Sequence, residues 1–188
     1  DCIDDDKAGK VNKYLKVIKQ NCYRLIRLIG NLIDITKIDV GNLKIEFQNL
    51  DIVELTENIV YSVREYIEEK EILLIFDCSI RERVIACDPD KIERIILNLL
   101  SNAVKFTPEY GRISVNLSEK DENVIISVKD TGIGIAPDKL KVIFERFVQV
   151  DKSTVRKREG SGIGLSLVKS LVEMHRGDIR CESKEGEG

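Results

Sequence analysis

The stretch that most limits what this chain can become is Glu93–Gly111, ERIILNLLSNAVKFTPEYG. Ile92, Ile95, Ile96, Leu99, Leu100, Ala103 and Val104 recur at the spacing of one buried helical face. Asn98 and Asn102 stand four apart, so both side chains leave the helix on the same side. Asn is a mediocre helix former and is costly to bury without a partner, so two of them on an apolar helix ask for a polar ligand. Their carbonyl oxygens suit a hard cation such as Mg²⁺, which takes oxygen ligands and keeps several waters. Lys105, a turn beyond Asn102, stands where a cation would meet a phosphate. The alternative at this point is that both amides are satisfied by nearby backbone.

Composition narrows the classes open to such a helix. With 43% hydrophobic and 34% charged residues the chain reads as globular, with ample material for a core. Its 188 residues suggest one full domain, or one domain plus a fragment of a second. A net charge of −3 leaves no global basic footprint for nucleic acid, and the absence of Trp argues against a platform for stacking single strands. Cys2, Cys22, Cys78, Cys87 and Cys181 form no CxxC pair and fit reduced, buried thiols in a cytosolic compartment. A single His disfavours a zinc centre. No apolar run approaches the roughly 20 residues that cross a bilayer, no signal peptide is visible, and no membrane contact by this segment is expected. The EGEG at the end reads as a turn whose following strand lies outside the sequence.

Upstream of the Asn helix, Leu15, Ile18, Cys22, Leu25, Ile29 and Leu32 alternate spacings of three and four, a heptad seam that Ile26 and Ile33 widen to a bundle stripe. One helix cannot bury that stripe, so pairing with other helices in an oligomer is expected, the alternative being packing on the rest of this chain. Gly41-Asn42 punctuates its end and sets a boundary between residues 1–41 and 42–188. Leu43, Ile45 and Phe47 then alternate as a strand, and Asp51 with Glu54 forms a capping box for a helix to about Lys70. ILLIF at 72–76 and VIAC at 84–87 read as strands, and Asp88-Pro89 supplies an N-cap with Pro at the first helical position. Ile113, Val115 and Leu117, a turn at Asp121–Asn123, then Val124, Ile126 and Val128 read as a hairpin. A helix over 163–175 stopped at Gly177 and a short strand through Ile179 and Cys181 complete an α/β two-layer sandwich, with a mixed sheet and helices on one face.

Two glycine segments punctuate this frame. DTGIGIA at 130–136 follows a strand, and Gly132 and Gly134 permit close approaches that a Cβ would block. Asp130 is placed to accept a hydrogen bond from an exocyclic amine such as that of adenine, unless the motif is an ordinary Asp-Thr-Gly turn. GSGIGL at 160–165 opens a helix instead, presenting backbone N–H groups to an anion. Neither is a P-loop or a dinucleotide fingerprint. Between them runs IFERFVQVDKSTVRKREG, with Phe144 and Phe147 spaced to anchor its start and with cations at Lys152, Arg156, Lys157 and Arg158, a candidate lid over phosphates or a solvated surface.

The order of Asn helix, DTGIGIA, IFERF and GSGIGL, from about residue 88 to 182, resembles the N box, F box and glycine boxes of sensor histidine kinases. The heptad helix resembles the second helix of that family's dimerisation and phosphoacceptor domain. The resemblance implies a Bergerat-type ATP-binding fold preceded by a long bundle helix, with ATP and Mg²⁺ as cofactors. It also implies a homodimer through the N-terminal helix, a response-regulator receiver domain as partner, and a cytosolic location on a membrane-anchored protein. By the resemblance Asn102 holds Mg²⁺, and Asn98 and Lys105 act catalytically near the phosphates. Asp130 takes the adenine amino group, with Gly132, Gly134, Ile135 and Phe106 shaping its pocket. Phe147, Gly160, Ser161, Gly162, Ile163, Gly164 and Leu165 border the lid and the phosphates.

Two departures matter. The family's acceptor His belongs to an H box on a first helix that is not in this sequence; the single His175 ends the last helix, where a helix-end role suits it. Gln149 stands where relatives often carry Arg, leaving Arg146 and the lid cations as candidates for the phosphates. Phosphoryl transfer needs chiefly positioning and charge neutralisation, which these residues supply. A hydrolysing ATPase of the same superfamily would place a Glu at Asn98 to activate water, and a nucleotide-binding dimerisation scaffold without transfer is the remaining alternative.

Overall fold

The computed structural model describes residues 14, 15, 18, 22, 25, 26, 29–148 and 161–188. It divides into two units, Asp1–Leu43 and Lys44–Gly188. In the first, every described residue from 14 to 39 is helical, and α1 runs without a gap over 29–39. The Gly41 N–H bonds Ile38 O at 2.9 Å and the Asn42 N–H bonds Lys37 O at 2.7 Å, the paired bonds of a Schellman stop at the expected place. Among the described residues of the heptad seam, Leu15, Ile18, Leu25, Ile29 and Leu32 are between 48% and 57% exposed.

The second unit is built around the Asn helix. Asp88 caps it by accepting the Lys91 N–H at 3.2 Å, and Pro89 opens it, giving α4 (Pro89–Phe106). Before it come β1 (Gln48–Asp51), α2 (Ile52–Ser62), α3 (Arg64–Glu68), β2 (Leu73–Cys78) and β3 (Val84–Cys87). After it come β4 (Arg112–Lys120), β5 (Asn123–Asp130), α5 (Pro137–Leu140) and α6 (Gly164–Met174). β1 pairs antiparallel with β3, Gln48 opposite Cys87. The main sheet runs β2–β4–β5, with β2 parallel to β4 (Leu73 opposite Arg112) and β4 antiparallel to β5 (Ile113 opposite Asp130). Parallel neighbours need a crossover, and α4 lies on it. The β4–β5 hairpin turns through Asp121 and Glu122, both at positive φ, as a two-residue turn matched to strand twist requires.

Period-two alternation sends Ile113, Val115 and Leu117 of β4 inward, each at most 1% exposed. Ile96, Leu100 and Ala103 of α4, Ile59 and Val60 of α2, and Leu167, Val168 and Leu171 of α6 are buried with them. α4 touches α2, α6, β4 and β5, so the Asn-bearing helix is the hub of an α+β fold with a mixed sheet.

Several expected elements are placed differently. Residues 42–47 form no strand; the Glu46 N–H bonds the Asp88 carboxylate at 3.0 Å instead of a neighbouring strand, and pairing begins only at Gln48. The helix from Asp51 breaks at Val63 (φ −110°, ψ 0°), where the Ser62 hydroxyl donates back to Ile59 O at 2.7 Å and competes with continued winding. Asp51 caps by accepting from Val53 N–H, and it also accepts from Arg83 N–H, each at 3.0 Å. The last helix ends at Met174, and its left-handed stop falls on Arg176, one residue before the expected glycine. Arg176 takes the left-handed conformation (φ +61°), its N–H bonds Glu173 O, and the Gly177 N–H bonds Val172 O, each at 2.9 Å. Ile179–Cys181 join no ladder among the described residues. Cys22 and Cys181 are exposed free thiols, and among the described residues only Cys87 matches the expected burial fully; Cys2 lies outside them.

Candidate functional site

α4 sets the frame from its N-terminus. The Asp88 side chain is buried, which works against its ionised form, but hydrogen bonds from the Glu46 and Lys91 N–H groups and the nearby Lys91 ammonium outweigh that. The carboxyl is held below the usual carboxylate range. His175 joins this corner to the end of α6. Its Nε2 accepts the Asp88 N–H at 3.1 Å, its Nδ1 faces Leu171 O at 2.8 Å, and its ring meets Phe47 edge-on at 5.6 Å. A carbonyl partner requires a hydrogen on Nδ1, so both ring nitrogens are engaged in the neutral tautomer. Replacing His175 with alanine strands a backbone donor and should cost about 1–2 kcal/mol of stability. A thermal midpoint equal to that of the parent would show that the strut carries nothing.

Asn98 and Asn102 behave differently. Asn98 is buried, at 9% exposure, and its Nδ2 donates to Arg94 O at 2.8 Å. Its Oδ1 faces the start of α6, 3.3 Å from the position a Cβ on Gly164 would occupy. Backbone satisfaction, left open by the sequence, therefore holds for Asn98. Asn102 is half-buried, and among the described residues no hydrogen bond holds its amide. Lys105 carries its ammonium 4.6 Å from the centre of the Phe106 ring.

The DTGIGIA loop sits against the other end of α4. Asp130 ends β5, and its Oδ1 accepts the Gly132 N–H at 2.8 Å. A Cβ on Gly132 would lie 2.7 Å from Phe106 O, so only glycine lets the loop rest on the helix end. Thr131, which the sequence did not single out, ties the loop to the sheet. Its N–H reaches Arg112 O at 3.0 Å and its hydroxyl accepts the Arg112 N–H at 2.9 Å.

At Asn98 the second glycine segment takes over. Gly162 (φ +68°) passes against the Phe147 backbone, whose N–H bonds Gly162 O at 2.8 Å. Phe147 is 67% exposed and does not anchor its loop as the spacing suggested; Ile143 is the buried residue there. Ile163 is buried, and Leu165 and Ser161 are half-buried. Among the described residues no side chain caps α6, so there the N–H groups of its first turn have neither intrahelical nor side-chain capping partners. Gly160, Gln149 and the lid cations Lys152, Arg156, Lys157 and Arg158 lie outside the described residues; Arg146 is exposed.

Asn98, Asn102 and Phe106 follow at steps of four, about 12 Å along the axis. The helix start of α6 stands at the first and the Asp-Thr-Gly loop at the last. Asn102 lies midway on the same face. The arrangement can grip an elongated ligand with an anionic end at α6 and a hydrogen-bonding end at Asp130.

Comparison with known proteins identifies the family and the fold. Residues 87–188 match the family described as histidine kinase-, DNA gyrase B- and HSP90-like ATPase. The sensor histidine kinase WalK of Bacillus subtilis is 35% identical over 178 residues, covering 94% of this chain, which spans 29% of WalK. The crystal structure of full-length ShkA in complex with AMPPNP superposes with a TM-score of 0.79 at 28% identity, over 94% of this chain and 36% of that one. In the complex of histidine kinase ThkA with the response regulator TrrA, the kinase shares the fold at 22% identity and a TM-score of 0.65, over 82% of this chain and 42% of that one. The chain thus belongs to the histidine kinase-, DNA gyrase B- and HSP90-like ATPase family, as a histidine kinase-like catalytic domain homologous to sensor histidine kinases.

Proposed function

We propose that this chain is the catalytic core of a sensor histidine kinase. It holds Mg-ATP along α4 and passes the γ-phosphoryl group to a histidine on a dimerisation helix, for relay to an aspartate of a response-regulator receiver domain. The observation that carries this reading is the half-buried Asn102 amide, without a hydrogen bond among the described residues, midway between Asp130 and the uncapped start of α6. A half-buried amide oxygen suits magnesium, which takes oxygen ligands and keeps several waters. When bound, the metal would supply charge neutralisation at the phosphates. Lys105, Gly162 and the first-turn N–H groups of α6 add positive potential for the phosphate end. The second carboxylate oxygen of Asp130 accepts the adenine amino group while Gly132 N–H occupies the first. Asn98 orders the α4–α6 junction and cannot serve as a general base, which weighs against hydrolysis as the main reaction.

His175 is unsuited to be the acceptor because both ring nitrogens are engaged; the acceptor is a histidine outside this sequence. The exposed seam residues of α1 support pairing with a second copy as a homodimer. No helix among the described residues is long and apolar enough to cross a membrane, and we place the domain on the cytosolic side of an anchored protein.

A calorimetric titration with ATP, with and without Mg²⁺, tests the reading. Micromolar to sub-millimolar binding that changes with Mg²⁺ is expected, and Asp130→Ala should lose the preference for ATP over GTP. Absence of ATP binding by the parent chain would sink the proposal.

A further inference from the structure

Residues 131–136 form no helix or strand, so the loop's backbone groups must be held from elsewhere. Its first half is tied to the sheet, through Thr131 N–H to Arg112 O and Gly132 N–H to Asp130 Oδ1. Its second half is held from far along the chain. The Ile135 N–H donates to Ser183 Oγ at 2.8 Å, and Ile133 O accepts the Gly186 N–H at 2.8 Å. The Ser183 hydroxyl gives its own hydrogen to Gly188 O at 2.8 Å. Gly188 O also accepts the Lys184 N–H, and Lys184 O accepts the Glu187 N–H, closing residues 183–188 into a turn. Between the two tied residues, Gly134 (φ +65°) faces the turn so closely that a Cβ would overlap the Lys184 carbonyl. Three consecutive loop residues are thus seated on one distant turn.

We propose that Ser183 is a positioning residue for nucleotide binding, acting through the Ile135 N–H to hold the second half of the DTGIGIA loop in register with Asp130. The inference rests on the nucleotide reading above. A serine hydroxyl donates and accepts at once, so it links the loop to the turn in a way alanine cannot. Removing it leaves the turn's other bonds in place but frees one side of the loop.

The test is an ATP titration of the parent chain, Ser183→Ala, Ser183→Thr and Ser183→Cys, with nucleotide-free thermal unfolding and steady-state transfer to a supplied histidine-bearing helix. Ser183→Ala should weaken ATP binding about 3- to 10-fold, the loss of one net hydrogen bond. KM for ATP should rise by the same factor while kcat at saturating ATP holds, and the preference for ATP over GTP should narrow. Ser183→Thr keeps the hydroxyl and should restore affinity. If the alanine variant does not fold, Ser183→Cys fills the same space with a weaker acceptor and should show the same direction. Parent-like affinity in both the alanine and cysteine variants overturns the proposal, as does a loss that threonine fails to rescue or that falls on kcat alone. A parent chain that does not bind ATP removes the nucleotide reading and this inference with it, an outcome distinct from either.

Discussion

Replacing Asn102 with alanine should lower phosphoryl transfer to a supplied histidine-bearing helix by about 100-fold or more, the scale on which single preorganised polar groups act at charged transition states. The fold should not suffer. Among the described residues the Asn102 amide makes no hydrogen bond, and alanine is the better helix former, so the thermal midpoint should hold or rise. Stability and activity therefore move apart, as expected of a residue retained for a ligand. ATP titration should show the loss confined to the Mg²⁺-dependent part of the affinity. Transfer within a few-fold of the parent would mean that the metal is held elsewhere.

The second large effect is expected at Gly134. An L-residue in the left-handed region costs about 1–2 kcal/mol by itself. Arg176, at φ +61° on an exposed helix end, shows that this chain tolerates that conformation where space is open. Gly134 has no such space. An added Cβ would overlap the Lys184 carbonyl and lie 2.7 Å from Lys184 C and 2.9 Å from Glu185 Cα. All three are backbone atoms, so relief requires parting the loop from the turn. Gly134→Ala should thus destabilise the chain by about 2 kcal/mol or more and abolish measurable ATP binding, read by thermal unfolding and calorimetry on one sample. Retained binding with a normal midpoint would mean that the loop and turn separate freely.

The parts of the fold written in local chemistry were legible. Asp88-Pro89 announced α4, strict alternation announced β4 and β5, and Gly41 announced the end of α1, because each signal acts within a few residues. What escaped depends on partners distant in sequence. Leu43, Ile45 and Phe47 alternate correctly, but the Glu46 N–H finds Asp88 rather than a strand. The break at Val63 comes from a Ser62 hydroxyl that competes with the helix. Phe147 had the right spacing to pack, yet its backbone serves Gly162 and leaves the ring in solvent. At the site, the asparagine pair was legible as a pair, but not its division into an internally bonded Asn98 and an unbonded Asn102. Ser183 and Thr131 carried no local signal, since their partners are Ile135 and Arg112.

The parallel pairing of β2 with β4 has a consequence for how this domain acquires its activity. The helix bearing Asn98, Asn102 and Lys105 is the connection that makes that pairing possible. Its apolar face is shared by α2, α6, β4 and β5, so it is covered fully only when elements distant in sequence have come together. Half-assembled chains therefore lack a binding cleft. A nucleotide that binds only the folded domain would stabilise it by an amount that grows with the logarithm of its concentration above Kd.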